Sequence, residues 1–246
     1  MKRTSAAAKI EVLPDEAALA RAAAERFVAL AAAAVGERGL FAVALSGGDT
    51  PQPTYRLLAT AEFSSRLDWS SVHFFWGDER CVPPDHPESN FRLAQESLLS
   101  RILLPAENVH RLRAELPPHQ AAEEYERELR IFFAESALPR FDLVLLGLGD
   151  DGHTASLFPG SSALHETERW VVAYYVEKLA AWRITLTPPA LNAAAQIVFL
   201  VFGKSKAARL REVWSDPYQP DLLPAQIIRP SDGEVLWLVD AAAAGS

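Results

Sequence analysis

Short apolar runs alternate with longer helix-forming stretches along most of the chain, and this alternation restricts the fold more than any other feature. The runs are "LFAVALS" (40–46), "SVHFFW" (71–76), "FDLVLLGLG" (141–149), "RWVVAYYV" (169–176), "WRITLT" (182–187), "AQIVFLVFG" (195–203) and "VLWLVD" (235–240). Each has strand length and an aliphatic or aromatic content suited to a strand covered on both faces. Between them lie helical signals. Asp15, after Pro14, is placed to cap a helix that Gly36 or Gly39 stops, and the prolines of "TPQPTYRLLATA" (50–61) suit a helix entrance. Ser89 is placed to cap "NFRLAQESLLSRI", Tyr125, Leu129 and Phe132 fall at helical spacing in 121–136, and "KSKAARLREVW" (204–214) follows Gly203. The alanine-rich ends, 6–8 and 241–244, read as helix or tail.

Strands that alternate with helices predict an α/β fold: a mostly parallel twisted sheet with helices on both faces, doubly wound and Rossmann-like. No repeat, linker or shift of composition divides the chain, so one domain over residues 1–246 is expected. In such sheets ligands sit beyond the carboxyl ends of the strands. Three chemically loaded segments fall there, after Leu45, Trp76 and Leu146.

Composition narrows the partners. A net charge of −8 argues against a nucleic-acid or anionic-membrane surface, because both call for a basic face. A small anion stays possible, provided that local cations and backbone N–H groups outweigh the overall field. Cys81 is the single cysteine, which excludes an intrachain disulfide and a four-cysteine zinc site, and its expected role is a small, semi-buried apolar residue. The N-terminal stretch lacks a signal-like apolar region before Lys9 and Glu11, and no apolar run reaches membrane-spanning length, so a cytoplasmic protein is expected.

In "SGGDTP" (46–51), Gly47 and Gly48 permit close backbone approach, Ser46 and Thr50 add hydroxyls, and the following helix directs free N–H groups at the turn, an arrangement that suits phosphate. A plain tight turn between strand and helix is the competing reading. Asp49 must point away if phosphate binds here, since like charges repel. In "GDERCVPPDHPESN" (77–90), Arg80 is suited to grip a phosphate or carboxylate in bidentate fashion, with Asp78 holding its guanidinium, and His86 is assigned no role. In "GLGDDGHTASLFPG" (147–160), His153 is the candidate general base and Asp151 its partner. Asp150, Asp151 and His153 with His73 or His86 lack any metal-ligand spacing, so no metal and no cofactor are expected. Arg183 and Lys206 lie at strand–helix boundaries and, with Arg80, would supply the missing positive field.

Six ordered segments carry a resemblance: "LSGGDTP", "VHFFWGDERCVPPDHPESN", "LVLLGLGDDGHTASLFPG", "RITLTPPALNAA", "FLVFGKSKAARL" and "LPAQIIRPSDGEVLWLVDAAAA". Together, from about residue 40 onward, they resemble the 6-phosphogluconolactonase family of the glucosamine-6-phosphate isomerase/deaminase-like superfamily. The resemblance implies metal-independent hydrolysis of 6-phospho-D-glucono-1,5-lactone to 6-phosphogluconate in the oxidative pentose phosphate pathway. It implies His153 as general base, Asp151 as its orienting partner, Arg80 on developing negative charge or substrate, and Ser46, Gly47, Gly48, Thr50, Arg183 and Lys206 on the phosphate. It also implies a monomeric or weakly associated enzyme. The chain departs from the family pattern at Asp49, where a small hydroxyl residue is common, and at Asp150, where proline is frequent.

Two other readings use much of the same sequence. The sibling glucosamine-6-phosphate deaminases typically have "DEY" and "GHIAFNEP" where this chain has "DER" and "GHTASLFP", differences that favour the lactonase. A sugar-phosphate sensor without turnover would have no need of Asp151 beside His153.

Overall fold

The computed structural model describes residues 8–134, 136–215 and 217–245. Its strands are β1 (Lys9–Leu13), β2 (Phe41–Leu45), β3 (Val72–Trp76), β4 (Asp78–Arg80), β5 (Leu143–Leu146), β6 (Val171–Val176), β7 (Ala181–Leu186), β8 (Gln196–Val201) and β9 (Glu234–Asp240). Its α-helices are α1 (Glu16–Arg38), α2 (Gln52–Leu58), α3 (Ala61–Ser64), α4 (Asn90–Ser97), α5 (Pro118–Phe132), α6 (Pro188–Asn192), α7 (Ala207–Trp214) and α8 (Ala241–Ala244).

Six strands form one parallel sheet in the order β1-β9-β8-β5-β2-β3. Side chains alternate across a strand, and the alternation sorts the core into two layers. Phe41, Val43 and Leu45 of β2 join Leu143, Leu145, Val198 and Leu200 on the face covered by α1. Ala42 and Ala44 face the other way, with Val144, Leu146, Ile197 and Phe199, toward Tyr125 and Leu129 of α5 and Leu210 of α7. Burial on both faces is why these strands read as continuous apolar runs. Asp15 caps α1 by accepting from Ala18 N–H at 2.8 Å, and Gly39, at φ +79°, ends it. Ser89 caps α4 through Arg92 N–H.

The expected fold class is borne out, with two additions. Runs 169–176 and 182–187 do not enter the parallel sheet. They form the antiparallel hairpin β6–β7, which with β4 makes a separate three-stranded sheet, β4-β7-β6. The physical reason is the connection: adjacent parallel strands need a long crossover, whereas residues 177–180 supply only a tight turn, with Ala180 left-handed at φ +46°. The second addition is β1, a largely exposed edge strand whose polar sequence gives no apolar run. Of the alanine-rich ends, 241–244 is α8, while residues 6 and 7 lie outside the described residues. Among the described residues no helix is long and apolar enough to cross a membrane.

The side on which strands are added switches between β2 and β5: the chain leaves β2 for β3 on one side and later returns to β5 on the other, all strands staying parallel. Such a switch point opens a crevice at the strand ends. Gly77 joins the two sheets there, its N–H donating to the Leu45 carbonyl at 2.9 Å and its carbonyl accepting from Leu186 N–H at 2.8 Å.

Candidate active site

The loop after β2 forms one wall of the crevice. Tyr55 of α2 ties it down by accepting from Ser46 N–H at 3.1 Å and donating to the Ser46 carbonyl at 2.8 Å, a buried arrangement that pushes the phenol well above its ordinary pKa. Gly48 sits at φ +85°. Gly47 has a different reason to be glycine: a Cβ there would fall 1.6 Å from Asn90 Oδ1. Asp49, expected to turn away, is exposed but is among the residues lining the cleft.

The loop that follows β3 carries the next group. On a strand as short as β4, Asp78 and Arg80 share one face and Glu79 takes the other. Glu79 therefore points inward, where it accepts from the N–H groups of Arg80, Asn90 and Phe91, each at 2.8 Å, and from Ser89 Oγ at 3.2 Å. Burial pushes its carboxyl up to about 7 against the pull of those donors. The expected Asp78–Arg80 clamp is not formed. Asp78 Oδ2 accepts from Ser156 Oγ at 2.6 Å, and Arg80 Nη1 donates instead to the Glu88 carbonyl at 2.6 Å. His86 makes a turn contact, accepting from Glu88 N–H at 3.2 Å. Cys81 is part-buried against the core, and burial pushes its thiol up to about 11.

The loop after β5 folds back on itself. Gly149 N–H donates to the His153 carbonyl at 2.8 Å, Gly152 turns the chain at φ +84°, and Thr154 Oγ1 donates to the Gly147 carbonyl at 2.9 Å. Ala155, at φ +46°, is a non-glycine residue in the left-handed region beside the histidine, the kind of local strain that concentrates at functional sites. The His153 ring stacks on Phe158 at 4.2 Å, and its Nδ1 lies 2.5 Å from Asp151 Oδ1. Lys178, on the β6–β7 turn, donates to Asp151 Oδ2 at 3.0 Å. The hydrogen bond from His153, and after it that from Lys178, hold the Asp151 carboxyl far below the ordinary range despite partial burial. With Nδ1 engaged, Nε2 is the ring nitrogen left for chemistry.

Two adjoining clefts result. The larger, about 520 Å³, is lined by the glycine turn, Thr50, Arg80, His153 and Lys206. The smaller, about 260 Å³, is lined by Asp151, Lys178 and Arg183. His153 and Arg80 line both. The structure thus brings together all the expected phosphate ligands except Arg183, which stands in the smaller cleft, away from the glycine turn. Lys206 is already engaged: its Nζ lies 2.5 Å from Asp150 Oδ1, an ion pair that holds the Asp150 carboxyl low. Among the described residues, no group of three or more His, Cys, Asp or Glu side chains is arranged to hold a metal ion.

Several contributors had no signal in the sequence. Asn90 donates through Nδ2 to the Asp78 carbonyl at 2.9 Å and lines the larger cleft, yet reads in sequence as an ordinary first residue of a helix. Lys178 and Ser156 reach the site only through tertiary folding. Gly149 is the one that was legible in principle, as a glycine between a strand end and a candidate base.

Residues 14–237 match the family described as glucosamine-6-phosphate isomerases/6-phosphogluconolactonase. The chain belongs to this family. Within it, the 6-phosphogluconolactonase of Nostoc sp. is 41% identical over 246 residues, covering 99% of this chain and 98% of its own length. The solved 6-phosphogluconolactonase of Trypanosoma cruzi superposes with a TM-score of 0.86 at 30% identity, covering 100% of this chain and 99% of that one. A monomeric glucosamine-6-phosphate deaminase superposes with a TM-score of 0.81 at 20% identity, covering 96% and 99%, a likeness of fold alone. The six ordered segments therefore identified the family correctly.

Proposed function

We propose that this chain is a 6-phosphogluconolactonase, hydrolysing 6-phospho-D-glucono-1,5-lactone to 6-phospho-D-gluconate, and that residues 1–246 act as one sugar-phosphate lactonase domain. The activity named for the relatives supports the substrate and the reaction. The observation that carries the reading is the Asp151–His153 pair, with Nε2 left for a cleft whose other wall is the glycine turn and Lys206.

Asp151 fixes the imidazole with Nδ1 as donor, so Nε2 acts as the base. It takes a proton from water while the water oxygen attacks C1. Negative charge then grows on the C1 oxygen within reach of the Arg80 guanidinium, which is fixed by Glu88 and costs little reorganisation. As the C1–O5 bond breaks, the imidazolium returns its proton to O5. The phosphate is held by Ser46, Gly47, Gly48, Thr50 and Lys206. No step of this scheme uses a metal or cofactor, and the reading includes a cytoplasmic monomer.

The test is the loss of freshly generated lactone above the spontaneous background, for the wild type and for His153→Ala. General-base loss should lower kcat by about 10² to 10⁴ while phosphate binding persists. A wild type at background rate would overturn the reading. Ammonia release from glucosamine 6-phosphate would then point to the sibling deaminase, and thermal stabilisation by sugar phosphate alone to a sensor.

A further inference from the structure

Two guanidinium groups oppose each other across the smaller sheet. Arg80 of β4 and Arg183 of β7 are directly paired in the antiparallel register, and both line the smaller cleft beside His153. Side chains at paired positions stand close on one face, and like charges placed so are destabilising. Among the described residues neither arginine forms a salt bridge. Arg80 Nη1 donates to the Glu88 carbonyl and Arg183 Nη1 to the Trp182 carbonyl at 3.0 Å, so each keeps further donors unused. The nearby carboxylates have other partners: Asp78 Oδ2 accepts from Ser156, and Asp151 from His153 and Lys178. Burial, and next the charge of Arg80, lower the Arg183 pKa, while Asp78 and Glu88 pull it the other way without forming an ion pair with it. Two guanidinium groups with free donors in one cleft are suited to an anion.

The reaction supplies one. The lactone has a single anionic group, its phosphate. When water adds to C1 and the C1–O5 bond breaks, one water proton passes through His153 to O5 and the other leaves the new acid, so a second anionic group appears, at C1. We propose that Arg183, paired with Arg80, seats the carboxylate created at C1, so that the smaller cleft distinguishes the open-chain product from the lactone. This rests on the lactonase reading above. It makes Arg183 a specificity-determining residue rather than a phosphate ligand, and it makes the product the tighter-bound species.

Calorimetric titration separates the two roles with a matched pair of ligands: 6-phosphogluconate, and D-glucitol 6-phosphate, which carries a hydroxymethyl group in place of the carboxylate. Arg183→Gln should weaken 6-phosphogluconate about 10- to 100-fold, the loss of a charge-assisted pair. D-glucitol 6-phosphate should change by less than about twofold. Arg183→Lys, which keeps the charge but not the fork, should fall between wild type and Arg183→Gln for 6-phosphogluconate only. A thermal melt of each unliganded variant reports folding, and Arg183→Gln should be at least as stable as wild type because it removes the opposed charge. Equal weakening of both ligands would make Arg183 a phosphate ligand, and no weakening would leave it without a role. Either result overturns the proposal. Failure of the lactonase reading looks different: the wild type itself then leaves the lactone at background rate and fails to prefer 6-phosphogluconate.

Discussion

The ring of His153 occupies the space that a side chain on Gly149 would need: a Cβ there would stand 2.0 Å from Nδ1 and 2.1 Å from Cε1. The backbone holds the two residues together through the Gly149 N–H to His153 carbonyl bond at 2.8 Å, so neither can withdraw alone. Gly149→Ala should therefore displace the imidazole from Asp151 and lower kcat by about 10²-fold, since misplacement by about 1 Å costs that much. The fold should survive, because the loop and not the sheet absorbs the methyl group. Steady-state kinetics with a thermal melt checks this, and an alanine variant of normal kcat would show that the ring has room to move.

Asp151 gives a pH dependence of defined sign. Its carboxyl titrates lower in the folded protein than in an unfolded chain, chiefly through the hydrogen bond from His153. Its stabilising contribution is thus complete above the ordinary carboxylate range and disappears as pH falls toward the depressed folded value. The stability gap between wild type and Asp151→Asn should be widest near about pH 7 and shrink toward about pH 3. Urea unfolding at a series of pH values measures it, and a gap independent of pH would contradict the assignment.

Glu79 is a structural acid whose loss should be felt in stability first. Both of its oxygens accept two hydrogen bonds, joining β4 to the start of α4. In Glu79→Gln one oxygen becomes an amide that cannot accept, leaving buried donors unpaired at a cost of about 1–3 kcal/mol. Chemical denaturation reads the loss. A variant as stable as wild type would mean that the donors find other acceptors.

Asp150 competes with the proposed phosphate for Lys206. Its carboxylate is 83% exposed, so the ion pair is weak, and Asp150→Asn should tighten binding of inorganic phosphate by about two- to fivefold. Titration with phosphate at fixed ionic strength decides it. Unchanged or weaker binding would mean that Lys206 does not leave Asp150 for the ligand.

Much of this site was readable from the chain because its loops follow strands, and strand ends are visible as the places where apolar runs stop. His153 with Asp151, the Gly47–Gly48 turn and Arg80 were all found in that way. The departures in geometry share a cause. Asp78 lay two residues from Arg80 in sequence, but Ser156, from another loop, takes its carboxylate. Arg183 and Lys206 both sit near strand ends, yet their strands belong to different sheets, β7 to the antiparallel one, and so they line different clefts. An apolar run announces a strand without naming its neighbour. The β6–β7 turn was the available clue, being too short for a parallel crossover.

Gly77 joins two sheets that carry different parts of the candidate site: the loop of His153 grows from the parallel sheet, and Arg80 and Arg183 stand on the antiparallel one. In the proposed scheme the base and the phosphate turn share one support, and the paired arginines stand on another. Under the proposed scheme, substitutions at Arg183 can change which end group is accepted without touching the strand that leads to His153. A chain built on this plan can change how it reads an end group while the histidine loop stays in place.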